Sequence, residues 1–358
     1  MSPQHADAVD ASQQSSTRSN SPPSHSLTPD GVEEKQQQKP NAFVRTARRI
    51  YNPLGFKKGY NFILGFIFAG ALLGFCFWNI RVVDVNGYWA KESAPGEWYY
   101  FRLPRYNIGM QLHLCAIIPA GILVFFQFIP IIRYKALIVH RLNGWTVVLL
   151  LLVANAGALM IANRSFGGHY DTQVMVGILA ISTTFSAVMG VINIKLKQID
   201  QHRKWMIRCW VYAGSIITLR FVQMAAVQVV SRMGGFYVQM SCGQIAYMEG
   251  NIPFYPSCTA GGDTAFAAVE ANIYTQVGVE EAAAAYQMAF GQAGTIALII
   301  HAVVVEVYFH LTPAESERLR TVSYEKQLEL GFRKPGSGGL TSDRLGDAPR
   351  WRPATASK

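Results

Sequence analysis

Six stretches of about 20 mostly apolar residues interrupt an otherwise polar chain of 358 residues. Each stretch is long enough to cross about 30 Å of hydrocarbon as an α-helix, because a helix rises about 1.5 Å per residue. The pattern therefore predicts an all-α, polytopic transmembrane bundle of six spans, contained within residues 57–312. The spans are 60–80, 107–132, 143–162, 173–194, 207–230 and 291–311.

The two ends of the chain lack this pattern. The first part of residues 1–56 is rich in Ser, Gln and Pro, and this composition predicts a disordered tail. Its last part, AFVRTARRIYNPLGFKK (42–58), mixes bulky apolar and basic residues. Two interpretations stay open for this segment: it lies on an anionic leaflet, or it is only a positively charged flank. Residues 313–358 predict a second tail, mostly disordered.

Loop charge differs between the two faces of the predicted bundle. The stretch before span one and the loops after spans two and four are basic, whereas the loops near 82–105 and at 231–290 are balanced or acidic. Short basic loops remain in the cytoplasm, so both termini are predicted to be cytoplasmic. The basic residues are Arg45, Arg48, Arg49, Lys57, Lys58, Arg133, Lys135, Arg141, Lys195, Lys197, Arg203, Lys204 and Arg208.

This location of the basic residues explains the net charge of +10. Only 15% of residues are charged and 50% are hydrophobic, a composition that excludes an ordinary nucleic-acid-binding protein. The expected partners are the lipid bilayer and anionic lipids at the cytoplasmic face. Asp7 and Asp10 disfavour a mitochondrial transit peptide, so the secretory pathway or the plasma membrane is the favoured location.

The loop at 231–290 is too long for a simple connection between two helices. It contains Cys242 and Cys258, on the face where disulfides form, and these two residues are expected to pair. From Val279 the sequence VEEAAAAYQMAFGQ favours helix and predicts that span six extends outward by about two turns.

Four histidines lie in two layers. His113 and His301 fall well inside spans two and six, and His140 and His202 lie at the cytoplasmic starts of spans three and five. Haem b with two axial histidines needs imidazoles on separate helices at equal depth, so one interpretation is a transmembrane redox protein. The alternatives are a proton relay or substrate site, and a structural role in helix packing. The basic residues near the inner pair that could hold haem propionates include Arg141, Arg203 and Arg208.

Arg220 lies about ten residues inside span five, where an ionised side chain is costly and is a functional candidate by default. We expect it to face the bundle interior, a cavity or an anion. His113 and His301 have similar depth, so they could line one pocket with Arg220 and Gln223. The alternative is that Arg220 only holds neighbouring helices together.

Three strings carry a resemblance to a known family: LHLCAIIPAGILVFFQFIPIIR, HRLNGW and QHRKWMIRCWVYAGSIITLRF. They resemble predicted integral membrane proteins grouped as domain of unknown function 2306, which also occur in fungi. The resemblance covers about 107–230, and it implies no established activity. Asn143 stands where the family more often has a bulky residue before the glycine. The matching residues are His113, His140, Arg141, Gly144, His202, Arg203, Trp205, Met206, Arg208 and Arg220.

The sequence leaves three functions open: a haem b redox protein, a non-enzymatic transporter or sensor with a pocket at Arg220, and a structural bundle. It has no G-x-x-x-x-G-K-[ST], H-E-x-x-H or C-x-x-C motif, and no metal site beyond a possible haem iron is indicated. Whether the chain is an enzyme stays undecided. A redox function would require an external electron donor.

Overall fold

The computed structural model describes residues 42–56, 58–274, 278–336 and 339–353. The chain divides into two units after Thr46, and the description below concerns the second unit. In chain order the helices are α1 (Ala42–Tyr51), α2 (Gly59–Trp78), α3 (Ala90–Glu92), α4 (Glu97–Phe101), α5 (Pro104–Phe128), α6 (Pro130–Lys135), α7 (Leu137–Ile161), α8 (Tyr170–Lys195), α9 (Ile199–Ala213), α10 (Ser215–Met233), α11 (Cys242–Tyr247), α12 (Pro256–Gly261), α13 (Val279–Leu311), α14 (Pro313–Glu329) and α15 (Ser342–Leu345).

The described residues contain six helical segments that are long and apolar enough to cross a membrane, which confirms the predicted all-α bundle of six spans. They are α2, α5, α7, α8, the α9–α10 pair and α13. Helix α13 is the longest and begins at Val279, as its helix-forming composition predicts. The first predicted tail falls mostly on residues 1–41, which lie outside the described residues.

Two breaks shift the ends of the spans from their predicted positions. Helix α5 ends at Phe128 because Pro130 keeps Ile129 in extended backbone, and the short helix α6 follows. Helix α9 already begins at Ile199, in the loop that the sequence places outside span five, and a turn at Gly214 separates it from α10. As a result, His140 and His202 lie in the first turns of α7 and α9 rather than before them.

Helices α5 and α7 approach each other closely through two glycines. A Cβ added to Gly157 would lie 2.6 Å from the backbone oxygen of Gly109 and 2.6 Å from the backbone nitrogen of His113. Small residues allow such close approach between membrane helices, where packing takes the place of the hydrophobic effect. The glycines therefore fix how α5 packs against α7.

A small folded cap covers one end of the bundle; we define the cap as residues 79–103 and 234–274. Its centre is an antiparallel pair of strands, β1 (Tyr237–Ser241) and β2 (Phe266–Glu270), which places Gln239 opposite Ala268. The structure pairs Cys242 with Cys258 in a disulfide. Buried residues of this sheet, including Val238 and Val269, form one apolar core with α10 and α13.

The two parts of the cap contact each other directly. The side-chain amide of Gln244 donates a hydrogen bond to the carbonyl of Gly96 at 3.2 Å. The hydroxyls of Tyr100 and Ser241 are 3.0 Å apart. The first loop is thereby held against the last loop, although the two are far apart in the sequence.

The segment after α13 contains a further helix and several polar contacts. Helix α14 packs against the start of α9, and the Ser323 hydroxyl accepts a hydrogen bond from the Ile199 backbone amide at 2.9 Å. Arg320 and Asp343 form an ion pair at 2.6 Å, and the Trp351 ring stacks edge-on against Tyr324. These contacts connect α14 to α9 and to the residues that follow α14.

The α5–α7 contact generates a first prediction. Gly157→Ala should lower the stability of the bundle by about 1–3 kcal/mol, because the backbones of two helices must separate to accommodate one methyl group. Thermal unfolding in detergent would measure the change. The matched control is Gly177→Ala in α8, where a Cβ would meet nothing within 4 Å. Equal unfolding temperatures for the two variants would contradict this account of the packing.

Candidate functional site

Arg220 lies on α10 at the surface of the bundle, next to a pair of stacked aromatic rings. The rings of Phe166 and Phe290 are 4.0 Å apart and nearly parallel. The guanidinium of Arg220 lies 5.5 Å from the Phe166 centroid and 5.8 Å from the Phe290 centroid, within the range of cation–π attraction. Arg220 also donates to Gln223 at 3.3 Å. The two rings lie against the guanidinium, although Arg220 as a whole residue is exposed on the bundle.

A buried carboxylate from the cap, Glu97, lies within electrostatic range of this guanidinium. The backbone N–H of Phe166 donates to Glu97 Oε2 at 3.1 Å, and Gly167 contributes a second backbone hydrogen bond. Both residues adopt left-handed backbone conformations, with φ of +46° and +77°. Successive N–H groups in such turns form a concave anion site, and here Glu97 occupies it.

Several buried polar atoms around this turn have no hydrogen-bond partner among the described residues. Gln287 lies on α13 one turn before Phe290, and its Nε2 lacks an acceptor although the residue is only 2% exposed. Gln287 Oε1 and His169 Nε2 each lie 2.6 Å from the position that a Cβ of Gly167 would take, so they face one small space. His169 Nε2 and Thr172 Oγ1 also lack partners.

These groups form one constellation, which we call the Arg220 cluster. Of its unpartnered atoms, the Gln287 amide nitrogen can only donate, whereas the Thr172 hydroxyl and His169 Nε2 can donate or accept. Buried polar atoms without partners are costly, and this set can donate to an acceptor-rich group. The cluster consists of Glu97, Phe166, His169, Thr172, Arg220, Gln223, Gln287 and Phe290.

Burial raises the pKa of Glu97 to about 8. The hydrogen bonds from Phe166 and Gly167 and the charge of Arg220 lower this pKa, but by less than burial raises it. Glu97 therefore changes its charge near neutral pH, beside a permanent cation.

The two deep histidines do not join the Arg220 cluster. His113 Nδ1 lies 3.0 Å from the carbonyl oxygen of Ala154 and connects α5 to α7. In His301, Nδ1 lies 2.6 Å from the carbonyl oxygen of Val211 and Nε2 lies 2.8 Å from the Thr218 hydroxyl. Both ring nitrogens of His301 are engaged, so this residue does not fit an axial haem ligand. The outer histidine pair therefore has an interhelical role in this structure.

The inner histidines lie within electrostatic range of one another, near Arg133. His202 Nδ1 lies 2.8 Å from the Gly190 carbonyl oxygen, an arrangement that orients the opposite nitrogen of a metal-binding histidine. His140 Nδ1 is buried and has no partner among the described residues. The described residues contain no group of three or more His, Cys, Asp or Glu suited to a metal ion.

The three arginines predicted near the inner pair have different surroundings. Arg141 is exposed and lies within electrostatic range of His140. Arg203 donates to the Tyr308 hydroxyl and retains a buried Nη1 without a partner in the described chain. Arg208 forms a two-bond ion pair with Glu306, at 2.6 and 2.9 Å.

Sequence reasoning identified Arg220 and Gln223 but missed their neighbours. Glu97 is one acid in a loop of balanced charge, and Phe166 and His169 lie in the short connection between α7 and α8. The motif SFGGH contained a signal, since paired glycines mark a turn with left-handed backbone. No local pattern connects that turn with Glu97 or with Gln287.

Residues 110–243 match the family described as Predicted membrane protein (DUF2306), which confirms the resemblance over that part of the chain. The match includes Arg220, Gln223 and Phe166 but not Glu97, Gln287 or Phe290. A protein of Aspergillus versicolor described as Ava biosynthesis cluster protein G is similar to this chain. It is 24% identical over 334 residues, which cover 77% of this chain and 96% of that protein. No solved structure matches.

The buried carboxyl generates a pH prediction. The folded pKa of Glu97, about 8, lies above its ordinary value of 4.5, so the folded chain holds a proton that the unfolded chain releases between these values. The stabilisation is complete below pH 4.5 and is lost as the pH rises towards 8, by up to about 1.4 kcal/mol per pH unit. Thermal unfolding in detergent at a series of pH values should show a flatter profile for Glu97→Gln. Parallel profiles for the variant and the natural chain would contradict this assignment.

Proposed function

We propose that this integral membrane protein binds an amphipathic carboxylate at the Arg220 cluster, as a non-enzymatic transporter or sensor. The observation that carries the proposal is an arginine within a membrane-spanning segment, whose guanidinium lies beside two stacked rings, in a cluster with buried polar atoms that lack partners among the described residues. A charged group in a membrane span is costly unless it serves such a role.

The ligand class follows from the two kinds of surface that meet at Arg220. Guanidinium and amide donors favour a carboxylate, which accepts bidentate hydrogen bonds. Phe221 and Met224 lie beside Arg220 on α10 and are 71% and 63% exposed, so the adjacent surface is apolar. A ligand with a carboxylate head and an apolar body satisfies both surfaces. A small hydrophilic anion would leave the apolar surface uncovered.

Glu97 supports the proposal because its carboxyl group already occupies the acceptor position in this cluster. The carboxyl oxygen accepts the backbone hydrogen bonds of the SFGGH turn and lies within range of Arg220. A carboxylate ligand competes with Glu97 for this positive potential. Protonation of Glu97, or its neutral replacement by Gln, should therefore favour binding.

The test uses the full chain in nanodiscs, with radiolabelled dodecanoate as the probe and unlabelled 1-dodecanol as a neutral competitor of equal chain length. Arg220→Gln should weaken dodecanoate binding by about tenfold or more, the loss expected for a charged hydrogen bond. Dodecanol should compete poorly. Glu97→Gln should bind at least as tightly as the natural chain.

The matched control is Arg232→Gln, which removes the same charge from an exposed position on the same helix. It should retain dodecanoate binding. Loss of binding in both arginine variants, or equal binding of dodecanoate and dodecanol, would argue against a carboxylate site at Arg220. Failure of Arg220→Gln to assemble would favour the structural role instead.

A second candidate function is haem b binding between His140 and His202, which would make the chain a redox protein with an external electron donor. It is supported by the orientation of His202 on the Gly190 carbonyl and by the unpartnered Nδ1 of His140. Arg141 and Arg203 would hold propionates, with Arg208 available only if its pair with Glu306 opens. Bound haem would supply one-electron chemistry, and the residues would set its orientation and surroundings.

An absorbance spectrum of the purified chain tests this candidate. Haem binding at the inner pair predicts a Soret band that shifts on addition of dithionite and is strongly reduced in His202→Ala. His310→Ala, an exposed histidine at the same end, serves as the control and should keep the band. Absence of the band from the natural chain after reconstitution with haem would rule out this function.

A further inference from the structure

We propose that a cleft between α9 and α13 binds the headgroup of an anionic phospholipid. The cleft has a volume of about 570 Å³, within the range of small-molecule sites. Four polar side chains line it, Lys204 and Arg208 from α9 and Glu306 and His310 from α13, together with apolar groups that include Phe309 and Leu311. It is separate from the Arg220 cluster and lies at the opposite end of the bundle, where the basic loops are.

Of the charged groups in the cleft, the Lys204 ammonium group is available to pair with an anion. Glu306 forms two hydrogen bonds with Arg208, which compensates that guanidinium and holds it against the rings of Trp205 and Phe309. In the described part of the chain no carboxylate lies within 4 Å of the Lys204 ammonium group. A phosphate can therefore pair with Lys204 without breaking an existing ion pair.

The position of the cleft along the span fits a lipid headgroup. Helix α13 ends at Leu311, so the cleft occupies the last turns of a membrane-spanning helix, where hydrocarbon meets headgroups. Val307 and Leu311 are 50% and 72% exposed and present apolar surface beside the cations. Basic pockets between membrane helices bind anionic headgroups while the acyl chains remain on apolar surface. The combination favours a phospholipid over a free anion.

Native mass spectrometry of the full chain can test this site. Detergent-solubilised protein is titrated with phosphatidylglycerol and, separately, with phosphatidylcholine of the same acyl chains. The natural chain should retain phosphatidylglycerol preferentially, and Lys204→Gln should weaken this binding by about fivefold. Lys204→Arg keeps the charge and should restore it. Inorganic phosphate in excess should not displace the lipid.

The matched control is Lys135→Gln, an exposed lysine at the same end that lies outside the cleft. It should bind phosphatidylglycerol as the natural chain does. Three results would overturn the proposal: unchanged binding in Lys204→Gln, equal retention of the two lipids, or displacement by phosphate, which would indicate a site for a free anion.

Discussion

The cost of placing polar groups in hydrocarbon governs most of this structure. Backbone amides in a bilayer must find their hydrogen-bond partners within the protein, and the six long helices satisfy them within each segment. Polar side chains within the spans are subject to the same cost and bond to neighbouring helices. Asn155 donates to the hydroxyls of Thr183 and Thr184, and His301 connects α13 to α9 and α10. Many polar groups inside this bundle thus serve as contacts between helices.

Arg220 has a different environment. Its neighbours include groups from two connecting segments, a carboxyl group of the first loop and a ring of the α7–α8 turn, together with the Phe290 ring of α13. The first loop is held in place by the last loop through Gln244 and Tyr100. The cap is therefore part of the site, and its folding determines the electrostatic environment of Arg220.

The two ends of the bundle have different polar chemistry. At the cap end, unpartnered polar atoms lie around the turn that binds a carboxyl group, and this group changes its charge near neutral pH. At the basic end, cations outnumber acids around the α9–α13 cleft, and α14 adds polar contacts such as that between Ser323 and Ile199. A carboxylate site and a phospholipid site at opposite ends are compatible, since they use different residues and different helix turns. The basic end also contains the inner histidines, the remaining candidates for haem.

The sequence by itself determined the all-α class and the number of spans. Hydropathy is a local sum, so a run of about 20 apolar residues identifies a span without reference to the rest of the fold. It did not determine which side of a helix faces which neighbour. In the structure His113 and His301 bond to Ala154, Val211 and Thr218. Tertiary structure decided that Glu97, Phe166 and Phe290 lie near Arg220, because those contacts depend on loop folding and helix rotation. Tertiary structure also decided the contacts of the segment after α13. These contacts are polar pairs such as Arg320 and Asp343, and a pattern of apolar residues cannot predict them.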